Sequence, residues 1–284
     1  MKVHAIRSGS VRVKHQQLEA SRPGPMGIVG VFLDNAWSEW LPTYAWAIEH
    51  KDGIIVVDSG QAMYLLEEVQ RSWHPFMRNN AAFEMAPELE VGPQLKALGI
   101  GPRDVKQVVL THMHIDHDAG LTHFPTSRIR VAAGEYANAR GALGAIRGYL
   151  PNRWPNWLDP EMLRMNDGRF HGFDASEQLT ADGSVRVVAT PGHTGSHVSV
   201  IVDDGDTSIF LAGDTSYTET AMVEGKIDGI SPNAAVTART LGAIRQFASE
   251  RPVIYLPTHD PEAGSRLAQR QIVPLYDRKE QHAA

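Results

Sequence analysis

The feature that most constrains this chain is the segment Thr111–His117 (THMHIDH), which directly follows the apolar run 108–110. Its metal-binding side chains, four within six residues, are His112, His114, Asp116 and His117. Residues two apart lie on the same side of an extended chain, so an extended segment brings the first three together. An α-helix would separate the first two histidines. His117 breaks the period of two, so the chain has to bend there, and a bent loop at a strand end would serve two adjacent metal ions.

Composition limits what this segment can bind. The chain has 284 residues, 42% hydrophobic and 21% charged, with a formal net charge of −6. This composition is typical of a soluble globular protein, and the lack of a basic stripe argues against nucleic acid as a partner. The chain contains no cysteine, which excludes disulfides, thiolate ligands and a cysteine nucleophile. A bound metal would therefore have histidine and carboxylate ligands, which suit zinc, manganese, iron or cobalt.

The N-terminus alternates like a β-strand and has no long apolar segment. We therefore expect no secretory signal. No apolar run approaches the length of a membrane span, so no membrane partner is expected. A cytoplasmic location is the default expectation.

Short apolar runs recur along the chain and indicate β-strands. The clearest runs are 54–57, 105–110, 185–188, 198–202, 208–211 and 253–256. Residues 2–14 predict two short strands around Gly9, and residues 91–98 predict a helix. Ser231 before Pro232 predicts an N-cap followed by the first helical residue. Residues 15–42 lack periodicity and contain several Pro and Gly, which predicts a long loop.

Several of these strands end in a loop with His or Asp. These loop residues are Asp58, the cluster 112–117, His193, Asp214 and His259. Open α/β sheets bind ligands beyond the carboxyl ends of their strands, so we expect these side chains to converge. No shift in composition divides the chain. We predict a single domain, residues 1–284, of the α/β class, with layers ordered helix, sheet, sheet, helix.

At this point the sequence resembles the metallo-β-lactamase-fold hydrolases. The shared pattern is His-x-His-x-Asp-His at 112–117, a Pro-Gly-His-Thr loop, a Gly-Asp pair and a late histidine, in that order. The resemblance covers nearly the whole chain and implies the four-layer αββα sandwich of that family. It also implies two divalent metal ions, zinc first, with iron, manganese or cobalt as alternatives. The implied ligands are His112, His114 and His193 for the first ion, Asp116, His117 and His259 for the second, and Asp214 as a bridge.

Two further acidic residues bear on this site. Asp58 matches the family's buried acid that orients the metal-site histidines, although an Asp before Ser-Gly is also typical of a turn. Asp118 departs from the family pattern, since relatives often have Ala or Gly there. It could tune the site, but the simpler interpretation is that it starts the next helix, where an acid is favourable.

Within the family, the segment 213–219 (GDTSYTE) is most similar to the N-acyl-homoserine lactonases, the quorum-quenching lactonases. In that group a tyrosine stands three residues after the bridging aspartate, and Tyr217 occupies this position. The resemblance implies a metal-dependent lactonase, a carboxylic ester hydrolase with a small-molecule lactone as substrate. A hydroxide held between the metals would attack the lactone carbonyl, while Tyr217 stabilises the oxyanion and Asp116 shuttles a proton to the leaving alkoxide. A packing role for Tyr217 is the alternative.

Other functions stay open at this stage. A glyoxalase II-like thioesterase uses the same ligands, a different lactone or ester would meet the same metals, and a non-catalytic metal-binding scaffold would need no substrate. Aromatic and apolar residues on irregular segments would either line an acyl-chain pocket or anchor their loops. They are Trp37, Trp40, Phe76, Met77, Trp154 and Trp157. The exposed aromatic loops also allow two copies to pair as a homodimer.

Overall fold

The structure is a computed structural model that describes residues 1–71, 75–141 and 143–276. The chain divides into two compact units. The first consists of Met1–His15 and Phe32–Leu163, and the second of Gln16–Val31 and Arg164–Ala284. Among the described residues, no helix is both long enough and apolar enough to cross a membrane.

The regular elements alternate between strands and helices along most of the chain. The strands are β1 (Lys2–Val13), β2 (Leu41–His50), β3 (Gly53–Val57), β4 (Ala81–Glu84), β5 (Val105–Val109), β6 (Arg128–Ala132), β7 (Glu161–Leu163), β8 (Ser176–Gln178), β9 (Val185–Ala189), β10 (Val198–Asp204), β11 (Thr207–Gly213) and β12 (Val253–Pro257). The α-helices are α1 (His15–Leu18), α2 (Pro25–Leu33), α3 (Tyr64–Arg71), α4 (Pro75–Asn80), α5 (Val91–Ala97), α6 (Ile115–Asp118), α7 (Ala133–Arg140), α8 (Glu219–Glu224), α9 (Ala234–Glu250) and α10 (Ala263–Gln269). Short 3₁₀ helices lie at Pro87–Leu89, Ala119–His123, Ala145–Arg147 and Pro151–Arg153.

The first unit contains a seven-stranded sheet in the order β4-β1-β2-β3-β5-β6-β7. Strands β3, β5, β6 and β7 are parallel, and β5 lies in the middle of that parallel part. Helix α5 packs Val91 and Leu95 against a core that includes Val108 and Leu110. Because β3 and β5 are parallel neighbours, their carboxyl ends meet at one edge of the sheet, and the chain leaves both at that edge.

The second unit contains a five-stranded sheet in the order β12-β11-β10-β9-β8. Only β11 and β12 pair in parallel, and the other pairs are antiparallel. Helix α9 packs Leu241, Ile244 and Phe247 in a core with Phe210 and Tyr255. With this pairing, β9, β11 and β12 all end, and β10 begins, at the same edge of the sheet.

The mixed α/β class is confirmed, with helices packed on both sheets, and the strongest predicted strands and the helix over 91–98 are present. The predicted loop over 15–42 is wrong, because it contains α1 and α2. Helix α2 (PMGIVGVFL) is apolar on every side, so it has no hydrophobic period that would reveal a helix. The prediction of a single domain stays a prediction.

Two predicted boundaries differ from the structure. Residues 2–13 form one strand whose register shifts between Arg7 and Ser10, around Gly9 at φ +91°. Helix α9 begins at Ala234 with Asn233 as its N-cap, whose side chain accepts hydrogen bonds from two backbone N–H groups. Ser231, the predicted cap, instead donates its hydroxyl to Asp228.

Two leucines at the end of α5 provide a matched test of the first core. Leu95 is buried in the core cluster, whereas Leu98, the C-cap, is 45% exposed. We expect Leu95→Ala to lower the free energy of unfolding by about 2–5 kcal/mol, because it leaves a cavity. Leu98→Ala should change it by about 0.5 kcal/mol or less. Urea denaturation measures both, and equal losses would contradict this packing.

Candidate metal centre

The histidine cluster of the first unit lies where the chain leaves β5. His114 is the N-cap of α6 and is still extended, at φ −65° and ψ 154°. His112 and His114 therefore lie on the irregular segment between β5 and α6, and Asp116 and His117 lie on the first helical turn. The predicted bend is present, and it falls at residue 115, two residues before His117.

This bend brings the ring nitrogens of the cluster together. Nε2 of His112 lies 3.0 Å from Nδ1 of His114, and the ring centroids of His112 and His117 are 4.0 Å apart. Nε2 of His117 lies 3.9 Å from Oδ1 of Asp116. Two ligands bonded at about 2.0 Å to one tetrahedral ion are about 3.3 Å apart. The two nearest histidines thus have the spacing of neighbouring ligands.

Asp58, at the end of β3, fixes the orientation of His117. Its Oδ2 accepts hydrogen bonds from Nδ1 of His117 and from the hydroxyl of Thr111, both at 2.9 Å. Its Oδ1 accepts from the Thr111 backbone N–H at 2.7 Å. A carboxylate only accepts, so the proton of His117 is on Nδ1 and Nε2 is left as the ligand atom. Asp58 also has a left-handed backbone, φ +59°, so it both turns the chain and orients the histidine.

Glu135 and Tyr149 support the segment from the other side. Oε1 of Glu135, a fully buried carboxylate, accepts from the backbone N–H of Met113 at 3.2 Å and from the Tyr149 hydroxyl at 2.8 Å. The Tyr149 ring lies 5.1 Å from the ring of His114. Burial and the neighbouring Glu135 raise the pKa of Tyr149, so its hydroxyl keeps its proton. The sequence analysis assigned no role to either residue.

Asp118 lies at the predicted helix start, as the last residue of α6 and the N-cap of the following 3₁₀ helix. The Asp118 side chain makes no capping hydrogen bond there. Its Oδ2 instead accepts the indole N–H of Trp154 at 2.7 Å. Burial raises the pKa of the Asp118 carboxyl to about 8, and the indole N–H opposes that rise. The carboxyl thus anchors a tryptophan beside the cluster.

In the second unit, three candidate ligands follow strands that end at the same edge of the sheet. His193 lies in the loop between β9 and β10, Asp214 follows β11, and His259 follows β12. Gly213 pairs with Pro257 in the register of β11 and β12, so Asp214 and His259 follow the ends of two adjacent parallel strands. Oδ2 of Asp214 lies 3.3 Å from Nε2 of His259 and 3.5 Å from Nε2 of His193. One carboxylate oxygen thus faces two histidine nitrogens at the spacing of neighbouring metal ligands.

The carboxylate of Asp228 lies next to the Nδ1 side of the His193 ring. Its Oδ2 lies 3.5 Å from Nδ1 of His193 and accepts the hydroxyl of Ser231 at 2.8 Å. Its Oδ1 accepts the backbone N–H groups of Ile230 and Ser231. The nearby carboxylate favours a proton on Nδ1, which leaves Nε2 toward Asp214. The sequence analysis missed Asp228, because an Asp-Gly pair alone indicates only a turn.

A chain of hydrogen bonds holds the backbone of Asp214. Its N–H donates to Nε2 of His197 at 3.1 Å, so His197 is neutral with its proton on Nδ1. That proton goes to the hydroxyl of Thr190 at 2.9 Å, which donates to Ser199 at 2.8 Å. Ser199 in turn donates to the carbonyl of Ala212 at 3.0 Å. Since the chain begins at an obligate donor and ends at an obligate acceptor, its direction is fixed. His197 therefore positions Asp214.

Tyr217 lies on the turn that follows Asp214. Its ring stacks on the ring of His259, with centroids 5.6 Å apart and planes at 25°. The hydroxyl of Tyr255 lies 2.6 Å from that of Thr215 and 2.9 Å from that of Ser216, which supports the turn from below. Thr218 ends the turn as the N-cap of α8. The tyrosine is thus fixed beside two candidate ligands of its unit.

The donor set fits a divalent metal ion. All seven predicted ligands belong to clusters of His and Asp side chains that are compatible with a metal site. Their donor atoms are imidazole nitrogens and carboxylate oxygens, and the seven residues lie in α6 or in the segments that follow β5, β9, β11 and β12. This combination suits zinc and the neighbouring divalent metals, while soft ions that need thiolates are disfavoured.

Several of the predicted pocket-lining residues have anchoring contacts instead. Trp37 lies under Arg12 and Lys14, at 5.0 and 4.0 Å, and Trp40 lies 5.0 Å from Arg12. Met77 is buried in a small apolar cluster, Trp154 donates to Asp118, and Trp157 is 41% exposed. The side chain of Phe76 lies outside the described residues. The loop-anchoring interpretation thus accounts for four of these residues.

Comparison with known proteins identifies the family. The model of the metallo-beta-lactamase superfamily matches residues 38–259, so the chain belongs to this superfamily. It is 23% identical over 273 residues to the N-acyl homoserine lactonase AttM of Rhizobium radiobacter, covering 93% of this chain and 94% of that protein. It is 25% identical over 274 residues to AttM of Azorhizobium caulinodans, with the same coverage. The predicted resemblance to the lactonase group is confirmed.

Solved structures agree with this assignment of the fold. An N-acyl homoserine lactone hydrolase with the product N-hexanoyl-L-homoserine at its catalytic metal centre matches with a TM-score of 0.75 at 19% identity. The match covers 93% of this chain and 95% of that one. AidC, a dizinc quorum-quenching lactonase, matches with a TM-score of 0.64 at 13% identity, covering 93% and 90%. The predicted metallo-β-lactamase fold class is confirmed.

The hydrogen-bond chain behind Asp214 can be tested through stability. Thr190→Val removes the acceptor for the buried His197 proton, so we expect a loss of about 1–3 kcal/mol in the free energy of unfolding. Thr207→Val, on β11 and partly exposed, is the matched control and should change it by about 0.5 kcal/mol or less. Chemical denaturation measures both. Equal effects of the two substitutions would show that these hydrogen bonds behind Asp214 do not stabilise the fold.

Proposed function

We propose that this protein is a dinuclear-metal lactonase that opens the ring of N-acyl-homoserine lactones, and so acts in quorum quenching. The observation that carries the proposal is Tyr217, a buried phenol stacked on His259 on the turn that follows Asp214. The named relatives, which are lactonases, support a metal-dependent lactone hydrolase. A hydroxyl beside the ligands suits the hydrolysis of an ester, because it can donate a hydrogen bond to the oxyanion that forms at the carbonyl.

The proposed ligands are the seven residues of the family motif. We assign His112, His114 and His193 to one ion, Asp116, His117 and His259 to the other, and Asp214 to both, as the motif order of the family implies. The spacings of 3.0 Å in the first unit and of 3.3 and 3.5 Å in the second support this assignment. Zinc is the expected metal, with iron, manganese or cobalt as alternatives.

The chain's own residues then divide the work. When bound, the two cations supply a hydroxide near neutral pH and neutralise charge on the ester oxygens. Tyr217 donates a hydrogen bond to the carbonyl oxygen as negative charge develops there. Asp116 takes the O–H proton of the attacking hydroxide and passes it to the ring oxygen as that oxygen leaves. Asp58 and Asp228 keep the Nε2 atoms of His117 and His193 directed at the ions.

A thioesterase of the glyoxalase II type is the alternative within the same family. The metal ligands would be the same, and Tyr217 is the feature that favours the lactone. Comparing the hydrolysis of N-hexanoyl-homoserine lactone with that of an acyl-glutathione thioester discriminates the two. A cytoplasmic location and a homodimer stay predictions.

Loss of a ligand should remove the metal and the activity together. We expect His112→Ala and Asp214→Asn to bind less than about half of the metal of the wild type, because each removes a donor from the set. His171→Ala replaces an exposed histidine and should leave metal content and ring opening unchanged. Elemental analysis beside a pH-drop assay measures both quantities. Full activity in a variant that has lost its metal would contradict a metal-dependent reaction.

Tyr217→Phe separates the oxyanion role from metal binding. The phenyl ring keeps the packing on His259 and loses the donor, so kcat should fall about 100- to 1,000-fold while metal content stays at the wild-type level. Tyr276→Phe, near the C-terminus, is the control and should have wild-type kcat. A Phe variant that opens lactones at the wild-type rate would show that Tyr217 only packs.

A further inference from the structure

The hydroxyl of Tyr217 has a buried partner that comes from far away in the sequence. The side-chain amide of Gln17, on α1, donates from Nε2 to the Tyr217 oxygen at 2.9 Å, across 200 residues of chain. Gln17 is 6% exposed and Tyr217 5%, so both groups are shielded from bulk water. Both residues belong to the second unit. The burial of this glutamine has to be explained, because burying an amide costs free energy unless its polar atoms form hydrogen bonds.

The backbone around Gln17 is fixed by the segment that contains Asp228. The carbonyl of Gln17 accepts the N–H of Gly229 at 3.0 Å, and Ala20 donates its N–H to Ile227 at 2.9 Å. A Cβ atom on Gly229 would lie 2.1 Å from the Gln16 carbonyl oxygen, so only glycine allows this approach. The same short segment thus holds the glutamine behind Tyr217 and the carboxylate behind His193.

The direction of this hydrogen bond matters for the chemistry. A tyrosine hydroxyl has one proton, and because the Gln17 amide donates to its oxygen, that proton is directed away from Gln17. An N–H donated to the oxygen also stabilises negative charge there, which makes the hydroxyl a stronger donor. Gln17 therefore favours the state of Tyr217 that can donate to an oxyanion.

The amide oxygen of Gln17, Oε1, suggests which hydrogen-bonding group the substrate has. Its Oε1 is buried and has no hydrogen-bond partner among the residues that the structure describes. Buried acceptors are normally paired, so this atom is suited to a donor that arrives with the substrate. Since Oε1 and Nε2 are bonded to one carbon, the acceptor lies beside the Tyr217 hydroxyl. Together they form a donor and an acceptor at neighbouring positions.

Resting on the proposed lactonase function, we propose that Gln17 selects lactones with an amide N–H next to the ring carbonyl. Tyr217 donates to the ring carbonyl oxygen, and Oε1 of Gln17 accepts the N–H on the adjacent ring carbon. An N-acylated α-amino lactone presents these two groups on neighbouring atoms, whereas a simple lactone lacks the N–H. Gln17 is thus a positioning residue for Tyr217 and a specificity residue for the substrate.

The test compares two substrates that differ in one group. They are N-hexanoyl-homoserine lactone and its carba analogue, in which CH₂ replaces the N–H, and ring opening is measured with the metal-loaded protein. Gln17→Met should lower kcat/KM for the amide lactone about 3- to 10-fold more than for the analogue, because only the amide loses a partner. Gln16→Met, on the same short helix and with its side chain bonded to Ser21, should leave the ratio unchanged.

A second variant separates the two roles of the amide. Gln17→Glu keeps an acceptor for the substrate N–H but would accept the Tyr217 proton, so kcat should fall for both substrates while their ratio persists. Thermal unfolding within a few degrees of the wild type identifies variants that fold normally.

The outcomes are distinct. If the wild type opens both lactones and Gln17→Met and Gln17→Glu leave their ratio and kcat unchanged, the role of Gln17 is overturned and the lactonase proposal stands. If Gln17→Met lowers both substrates equally, the specificity role is overturned. If the metal-loaded wild type opens neither lactone, the lactonase proposal itself fails.

Discussion

An imidazole binds a metal ion only through an unprotonated nitrogen, and the proposed site depends on that constraint. Asp58 accepts from Nδ1 of His117, and Asp228 lies beside Nδ1 of His193. Each carboxylate favours the tautomer whose Nε2 can act as a ligand. Each is held in turn by hydrogen bonds from its own unit, Asp58 by Thr111 and Asp228 by Ser231. The two units thus use the same device independently, one at the end of β3 and one in the segment before α9.

The second unit adds a further level of support around Asp214. His197 fixes its backbone through a directed chain of hydroxyls, and Tyr255 supports the turn that presents Tyr217. Gln17 reaches the hydroxyl of Tyr217 from α1. Side chains held in this way lose little freedom when a ligand binds, which is the general requirement for a site that must stabilise developing charge. In the first unit, Glu135 and Tyr149 support His114 and its neighbour in a comparable way.

The sequence predicted those parts of the site whose residues form a short local pattern. The ligands of the first cluster lie within six residues, and each later candidate follows an apolar strand, so spacing and strand patterns were enough to find them. Asp58 matched a family position but left a turn as an equal alternative, which only its contacts resolved. Gln17 acts through a partner 200 residues away, whereas His197 and Asp228 act through Asp214 and His193, and the sequence analysis assigned none of the three a role. Helix α2 was not predicted because a uniformly apolar segment has no hydrophobic period to detect.

The most direct test of the central claim is a metal titration of the chelator-stripped protein, followed by the rate of N-hexanoyl-homoserine lactone ring opening. A site with two ions joined by Asp214 predicts no activity without metal and a rate that reaches its plateau at two equivalents of zinc per chain. Undiminished ring opening after chelation, or a plateau at one equivalent, would contradict the dinuclear account.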